Sequence, residues 1–331
     1  MTRVADAGRA QQLPKAPAGP IRIGVSTCLL GEQVRFDGGH KRDAFLVETF
    51  GPHVEWVPVC PEVEAGFGIP RESMHLRRID DEVRLVTTRT GVDHTDTMRR
   101  YAVQRVATLA THDLCGYVLK KNSPSCGLER VKIYGRGAPV ATGRGVFAET
   151  LRQAFPHLPL EEEGRLCDPR LRENFVERVF AYHRLRGLFC ERWTLGHVVA
   201  FHTAHKLQLL AHSPRRYAEL GRLVAGAKPL GRSELRTTYA AQFMAALEVM
   251  ATPKRHVNVL QHILGYFSEQ LDGAARRELL ELIDDYGRGL LPLVVPLTLV
   301  RHYVRHFAIG YLQAQTYLAP HPRELMLRNH V

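Results

Sequence analysis

The sequence predicts an α/β domain followed by an all-helical domain. Three observations carry that expectation. Between residues 21 and 159, short β-branched runs alternate with loops rich in Gly and Pro, the signature of buried strands. From about residue 165 onward, apolar residues recur at helical spacing and no strand-like alternation returns. The charge changes at the same place: residues 1–164 hold 22 basic and 20 acidic side chains, and residues 165–331 hold 23 and 14. Most of the net charge of +11 therefore belongs to the second part. With 331 residues, 45% hydrophobic and 24% charged, the chain has the balance of a folded protein long enough for two domains.

Residues 1–20, rich in Ala, Gly, Pro and Gln, read as a disordered tail and not as a signal peptide. Residues 21–26, 54–59 and 116–120 each read as a buried strand. Segments 75–78 and 83–88 flank an Asp80-Asp81 turn and suit a hairpin. A helix is expected over 97–111 with Asp96 as its N-cap and Tyr101, Val106 and Leu109 among its apolar positions. A further strand at 131–134 precedes a Gly-rich turn. Glu161, Glu162 and Glu163, between Pro159 and Pro169, read as a hinge, which divides the chain into domains at 21–164 and 165–331. Helices are then expected over 176–188, 195–211, 215–225, 235–250, 255–271, 274–288 and 296–317.

The longest apolar run, 289–300, has 12 residues and two prolines, short of the roughly 20 that a helix needs to cross a bilayer. Six cysteines are too few for a disulfide scaffold, and they are expected reduced in the cytoplasm.

Three of them follow three strands. Cys28 lies just past the first, Cys60 just past the second and Cys126 after the third. If those strands are parallel neighbours, the sulfurs converge where open α/β sheets hold ligands. Each sits in a loop with Gly or Pro, where backbone amides are free to bond sulfur. A structural zinc site wants four ligands, commonly as local CxxC pairs, and no such pair exists. Three thiolates suit a [4Fe–4S] cluster with one iron left open, able to act as a Lewis acid. Cys115, Cys167 and Cys190 read as structural. Glu62, Glu64, Ser123, Ser125 and Lys121 lie in the same loops, where a carboxylate or hydroxyl could move a proton. Arg35 and Asp37 suit a loop-bracing pair, and Arg71 either a brace or a contact to an anionic substrate.

These loops resemble a known family. Ser-Thr-Cys-Leu-Leu-Gly at 26–31, Val-Arg-Phe-Asp-Gly at 34–38, Cys-Pro-Glu-Val-Glu-Ala-Gly at 60–66, Pro-Arg at 70–71 and Ser-Pro-Ser-Cys-Gly at 123–127 are similar to the thiouracil desulfidase (TudS-like) family. Trp-Thr-Leu-Gly-His at 193–197, Phe-His-Thr-Ala-His-Lys at 201–206 and Pro-Lys-Arg-His-Val-Asn at 253–258 resemble the YbgA-type helical domain. The first resemblance implies a Rossmann-like domain with an oxygen-sensitive [4Fe–4S] cluster on Cys28, Cys60 and Cys126. Its open iron would bind the exocyclic sulfur of a thiolated pyrimidine, water would replace that sulfur, and sulfide would leave without net electron transfer. Glu62 and Ser123 are the chosen proton handlers, with Glu64 and Ser125 as rivals. Phe36 stands where Tyr is common, and Phe67-Gly68 where a Leu is frequent; neither touches the ligands.

Residues 178–262 concentrate 13 Lys or Arg against 4 acids, with His183, His197, His202, His205 and His212 among them. That density reads either as solvated helix faces or as a phosphate-binding surface. A free base has no need of such a domain, whereas thiolated tRNA offers a phosphate track, so the expected substrate is tRNA, with 4-thiouridine ahead of 2-thiouridine and the base turned out of its stack. Lys206, Arg215, Arg216, Lys254 and Arg255 are the candidate phosphate contacts. The alternatives are a salvage desulfidase for free thiouracil or thiouridine, and a non-catalytic metal-cluster sensor that binds nucleic acid.

Overall fold

In a computed structural model, residues 19–190 and 192–330 are described; the tail expected at 1–20 lies outside them except for its last two positions. Two compact units form, Gly19–Tyr182 and the chain from His183 onward. The division falls inside a helix, Pro169–Cys190, and so lies later than residue 164, where the sequence pattern changes.

The first unit contains two four-stranded sheets where one was expected. Strands β1 (Arg22–Ser26), β2 (Glu55–Val59), β3 (Met74–Ile79), β4 (Glu82–Thr87), β5 (Gly116–Leu119), β6 (Val131–Tyr134), β7 (Pro139–Gly143) and β8 (Leu160–Glu162) supply them. The first sheet has the order β2-β1-β5-β8, with every neighbouring pair parallel. Its two central strands, β1 and β5, are largely apolar because they are covered on both faces: Ile23, Val25, Tyr117, Val118 and Leu119 are fully buried. The second has the order β4-β3-β6-β7, and the expected hairpin pairs through β3 with β6.

Glu161, Glu162 and Glu163 are not a hinge. They are 6, 7 and 9% exposed, and Glu161 and Glu162 belong to β8, paired with β5. Buried carboxylates need partners, and these collect them from distant residues. Glu162 accepts the backbone N–H groups of Leu128 and Glu129, and Glu163 accepts the N–H of Lys121 and the Nζ of Lys120.

Helices α1 (Pro61–Glu64), α2 (Thr95–Leu109) and α3 (Val146–Ala154) complete this unit. The N-cap of α2 is His94, two residues before the expected Asp96. Thr95 enters the helix already held by Asp93, whose carboxylate accepts both its N–H and its hydroxyl.

The second unit is helical among the described residues, with α4 (Pro169–Cys190) leading into it. There follow α5 (Leu195–Ala204), α6 (Lys206–His212), α7 (Pro214–Ala225), α8 (Arg232–Glu248), α9 (Pro253–Gly265), α10 (Gly273–Gly287), α11 (Val294–His306) and α12 (Gly310–Gln313). Several starts follow from capping chemistry. Thr194, Ser213, Thr252 and Asp272 each accept a first-turn N–H, and Pro214 and Pro253 need no partner at the first helical position.

Two expected helices are broken. The one expected over 195–211 stops at His205, whose Nδ1 bonds Phe201 O at 2.8 Å; Thr203 O and Ala204 O then accept from Gln315 and Thr316. The one expected over 296–317 breaks at Ala308, which has φ +50°. His202, His205, His212 and His256 are buried, so much of the histidine-rich stretch is interior. No helix among the described residues is long and apolar enough to cross a membrane.

Candidate active site

Because β1 pairs in parallel with β2 on one side and β5 on the other, the three cysteine loops leave the same edge of the sheet. Cys28 lies in a single 3₁₀ turn, Thr27–Leu30, directly after β1. Cys60 is the residue between β2 and α1. Cys126 ends the turn that follows β5. There the Ser123 hydroxyl oxygen accepts the N–H groups of Ser125 and Cys126 at 3.2 and 3.0 Å, and Ser123 O accepts from Gly127. A Cβ on Gly127 would lie 2.8 Å from Ser123 O, and one on Gly145 would lie 2.4 Å from the Ser125 carbonyl, so both glycines are needed for this close packing.

All three sulfur-bearing residues line one cavity of about 320 Å³. None of the three is in a disulfide. Burial pushes the Cys28 thiol up to about 11, with Cys60 adding to the effect. Burial likewise raises Cys60, and raises Cys126 well above the ordinary thiol range against the opposing hydrogen bond of Ser26. Binding a metal through these thiols would require them to give up their protons.

Glu62 also lines the cavity. Its Oε2 accepts from Arg71 Nε at 2.9 Å and from the terminal nitrogen at 2.5 Å, and its Oε1 accepts from the Ser125 hydroxyl at 3.0 Å. Arg71 is fixed in turn by donating to Val34 O and Gly68 O. Arg71 is therefore a brace for Glu62. Arg35 pairs with Asp37 as expected, at 3.3 Å, and still reaches the cavity wall.

The four carboxylate and hydroxyl candidates separate. Glu62 and Ser123 line the cavity. Ser125 is fully buried behind Glu62. Glu64 is held outside the cavity by the Cys60 N–H, the Tyr101 hydroxyl and Arg105. Cys115 lies buried away from the cavity, with its thiol bonded to Asp113 O, and Cys167 and Cys190 are exposed.

The sequence did not single out Lys41, Lys120 or Asn122, which also line the cavity. Lys120 and Asn122 follow β5 directly, so the strand-end argument that found Cys126 applies to them as well.

No group of three His, Cys, Asp or Glu among the described residues is arranged to hold a single metal ion. One zinc would need each sulfur about 2.3 Å from a common point. A four-iron cluster spreads its thiolate ligands over separate irons, so three free thiols opening onto a shared cavity fit a cluster and do not fit a lone ion.

In the helical unit, the five candidate cations all lie in first turns of helices. Lys206 opens α6, Arg215 and Arg216 lie at the start of α7, and Lys254 and Arg255 at the start of α9. Arg255 donates to His212 O and Met250 O, which puts the start of α9 beside that of α7. Lys206 is at the other end of α6, apart from these four. Arg215 is tied to Glu219 at 3.0 Å.

The family model for 2-thiouracil desulfurase matches residues 23–163, and that for DUF1722, a family of unknown function, matches 206–322. The uncharacterized protein YbgA of Escherichia coli (strain K12) is 34% identical over 161 residues, covering 48% of this chain and 95% of that protein. The chain belongs to the family of YbgA. The chain is also 29% identical over 144 residues to the uncharacterized protein YbbK of Bacillus subtilis (strain 168), covering 42% of this chain and 95% of YbbK. Among solved structures, the [4Fe-4S]-dependent thiouracil desulfidase TudS is similar at 30% identity, over 47% of this chain and 98% of its own, with a TM-score of 0.38. The 2-thiouracil desulfurase match runs from β1 to Glu163 and so contains all three cavity cysteines, Glu62 and Ser123.

Proposed function

We propose that this protein removes sulfur from thiolated uracil at a [4Fe–4S] cluster held by Cys28, Cys60 and Cys126, and that its substrate is 4-thiouridine in tRNA. The observation that carries the reading is the meeting of three free thiols and one braced carboxylate in a single cavity. The crevice lies where the parallel sheet turns from β2 to β5 on either side of β1, the place where Rossmann-like folds seat ligands. When bound, the cluster would supply one iron without a protein ligand as a Lewis acid toward the exocyclic sulfur.

The protein's own groups supply the rest. The overall change is hydrolytic: water gives its oxygen to the ring carbon, sulfur leaves as sulfide, and no oxidant or reductant is consumed. Glu62 takes a proton from that water at the carboxylate. Arg71 and Ser125 fix its orientation, one on each oxygen. Ser123 holds the Cys126 turn through two N–H bonds, and its hydroxyl hydrogen remains available to a ring oxygen or nitrogen.

The tRNA part rests on charge. Cations in the first turn of a helix stand at the positive end of its dipole, an arrangement that opposes stability by a few tenths of a kcal/mol and strengthens attraction for phosphate. Arg215, Arg216, Lys254 and Arg255 share that placement on adjoining helix starts. Anaerobic reconstitution tests the reading. It expects a brown protein with four irons per chain that releases sulfide from 4-thiouridine. A colourless zinc-binding protein that stays inactive after reconstitution would instead support a nucleic-acid-binding sensor.

A further inference from the structure

A second groove, of about 270 Å³, opens beside the cavity. The two share Met74, Asn122 and Pro124, so the loop after β5 is the wall between them. The floor of the groove is the outer face of the mixed sheet. In β3 Leu76 is buried in the core, and in β6 Val131 and Ile133 are. Side chains alternate along a strand, so His75 and Arg77 on β3 and Lys132 and Tyr134 on β6 lie on the opposite face. The parallel register sets Leu76 against Ile133 and Arg77 against Tyr134, which places the four on one patch.

The patch has a particular chemistry. The His75 and Tyr134 rings meet edge to face, with centroids 5.2 Å apart and planes at 82°. Lys132 is exposed. Neither Lys132 nor Arg77 makes an ion pair among the described residues, and no carboxylate lines the groove. Aromatic rings with unpaired cations on an open sheet face are what single-stranded nucleic acid requires: rings stack on bases, and cations follow the phosphates. A free thiolated base or nucleoside would fill the first cavity and leave this groove empty.

We infer that the groove seats the nucleotide next to the thiolated one in an RNA strand, with its base stacked on Tyr134, whose ring His75 meets edge-on, and its phosphate held by Lys132. This rests on the reading of tRNA as substrate and adds a second RNA contact, in the desulfurase half.

The test uses the full-length protein and a short RNA with uridine at the target position, flanked on one side or the other by 2-aminopurine, whose fluorescence falls on stacking. Wild type should bind and quench the probe. Tyr134→Ala and Lys132→Ala should each weaken binding, the first by about tenfold, as expected for loss of one base–aromatic stack. Tyr134→Phe, which keeps the ring, should restore both binding and quenching. In the cluster-loaded protein, Tyr134→Ala should lower the ratio of kcat/KM for thiolated tRNA to that for free 4-thiouridine by about the same factor. If both alanine variants quench and bind as wild type does, while wild type desulfurises tRNA, the groove is not the seat and the function stands. If wild type acts on free 4-thiouridine but neither binds nor desulfurises RNA, the tRNA reading and this inference fail together.

Discussion

Replacing Arg71 with Met removes the brace on Glu62 and leaves the carboxylate in place. Arg71 is 6% exposed and Glu62 15%, so their pairing is shielded from solvent. Two guanidinium nitrogens bond one oxygen of Glu62, and a third bonds Val34 O and Gly68 O. Breaking such a buried pair by removing one partner costs about 3–5 kcal/mol. Here the lower figure, about 3 kcal/mol, applies, because Ser125 still donates to the other oxygen and the cavity admits water. For a unit of this size that corresponds to a drop of roughly 6–12 °C in Tm. The chain's two tryptophans divide between the units, Trp56 in β2 and Trp193 before α5. Urea unfolding of the metal-free protein in a Trp193→Phe background therefore reports on the first unit. Glu62→Gln combined with Arg71→Met removes the uncompensated charge and should recover about half of the loss. A cost below about 1 kcal/mol for Arg71→Met, or no recovery in the double variant, would refute the claim that Arg71 acts through Glu62.

Three further outcomes are expected. Cys28→Ala, Cys60→Ala and Cys126→Ala should each abolish iron retention and visible colour after anaerobic reconstitution, whereas Cys115→Ala and Cys167→Ala should keep both; loss of iron in Cys115→Ala would overturn the ligand assignment. Glu162→Ala orphans the N–H groups of Leu128 and Glu129 and should lower stability by about 2 kcal/mol, measured with the same urea assay and accompanied by faster loss of iron from the Cys126 loop. In the helical unit, burial lowers His202 from 6.5 to about 4. The unfolded chain then binds the extra proton first as pH falls, so stability is full above pH 6.5 and declines toward pH 4 by up to about 3 kcal/mol. His202→Phe, which keeps a ring against Tyr217, should flatten that slope in urea midpoints read from Trp193.

The strands that carry the cysteines were legible because each is an apolar run that ends in a Gly or Pro loop, and this pattern needs no distant partner. The same locality explains what was missed. An acidic triplet at 161–163 looks solvated, and its burial depends on N–H groups and Lys120 more than 30 residues away. The mixed sheet escaped for a similar reason: β7 lies in a Gly-rich stretch, and β3 finds β6 across more than 50 residues. Helix starts at Ser213-Pro214 and Thr252-Pro253 are readable from capping rules. The break at His205 was not, because it depends on Phe201, Gln315 and Thr316 acting together. In the site, residue types alone could not separate Glu62 from Glu64 or Ser123 from Ser125. One turn of α1 and the Ser123 turn decide which of each pair lines the cavity.

The central claim, removal of sulfur from a nucleotide within RNA, is tested most directly by nucleoside analysis of tRNA before and after anaerobic incubation with the cluster-loaded, full-length protein. The account predicts that 4-thiouridine disappears, uridine rises by the same amount, and an equal quantity of sulfide is released. Unchanged 4-thiouridine in tRNA, from a preparation that releases sulfide from free thiouracil, would contradict it.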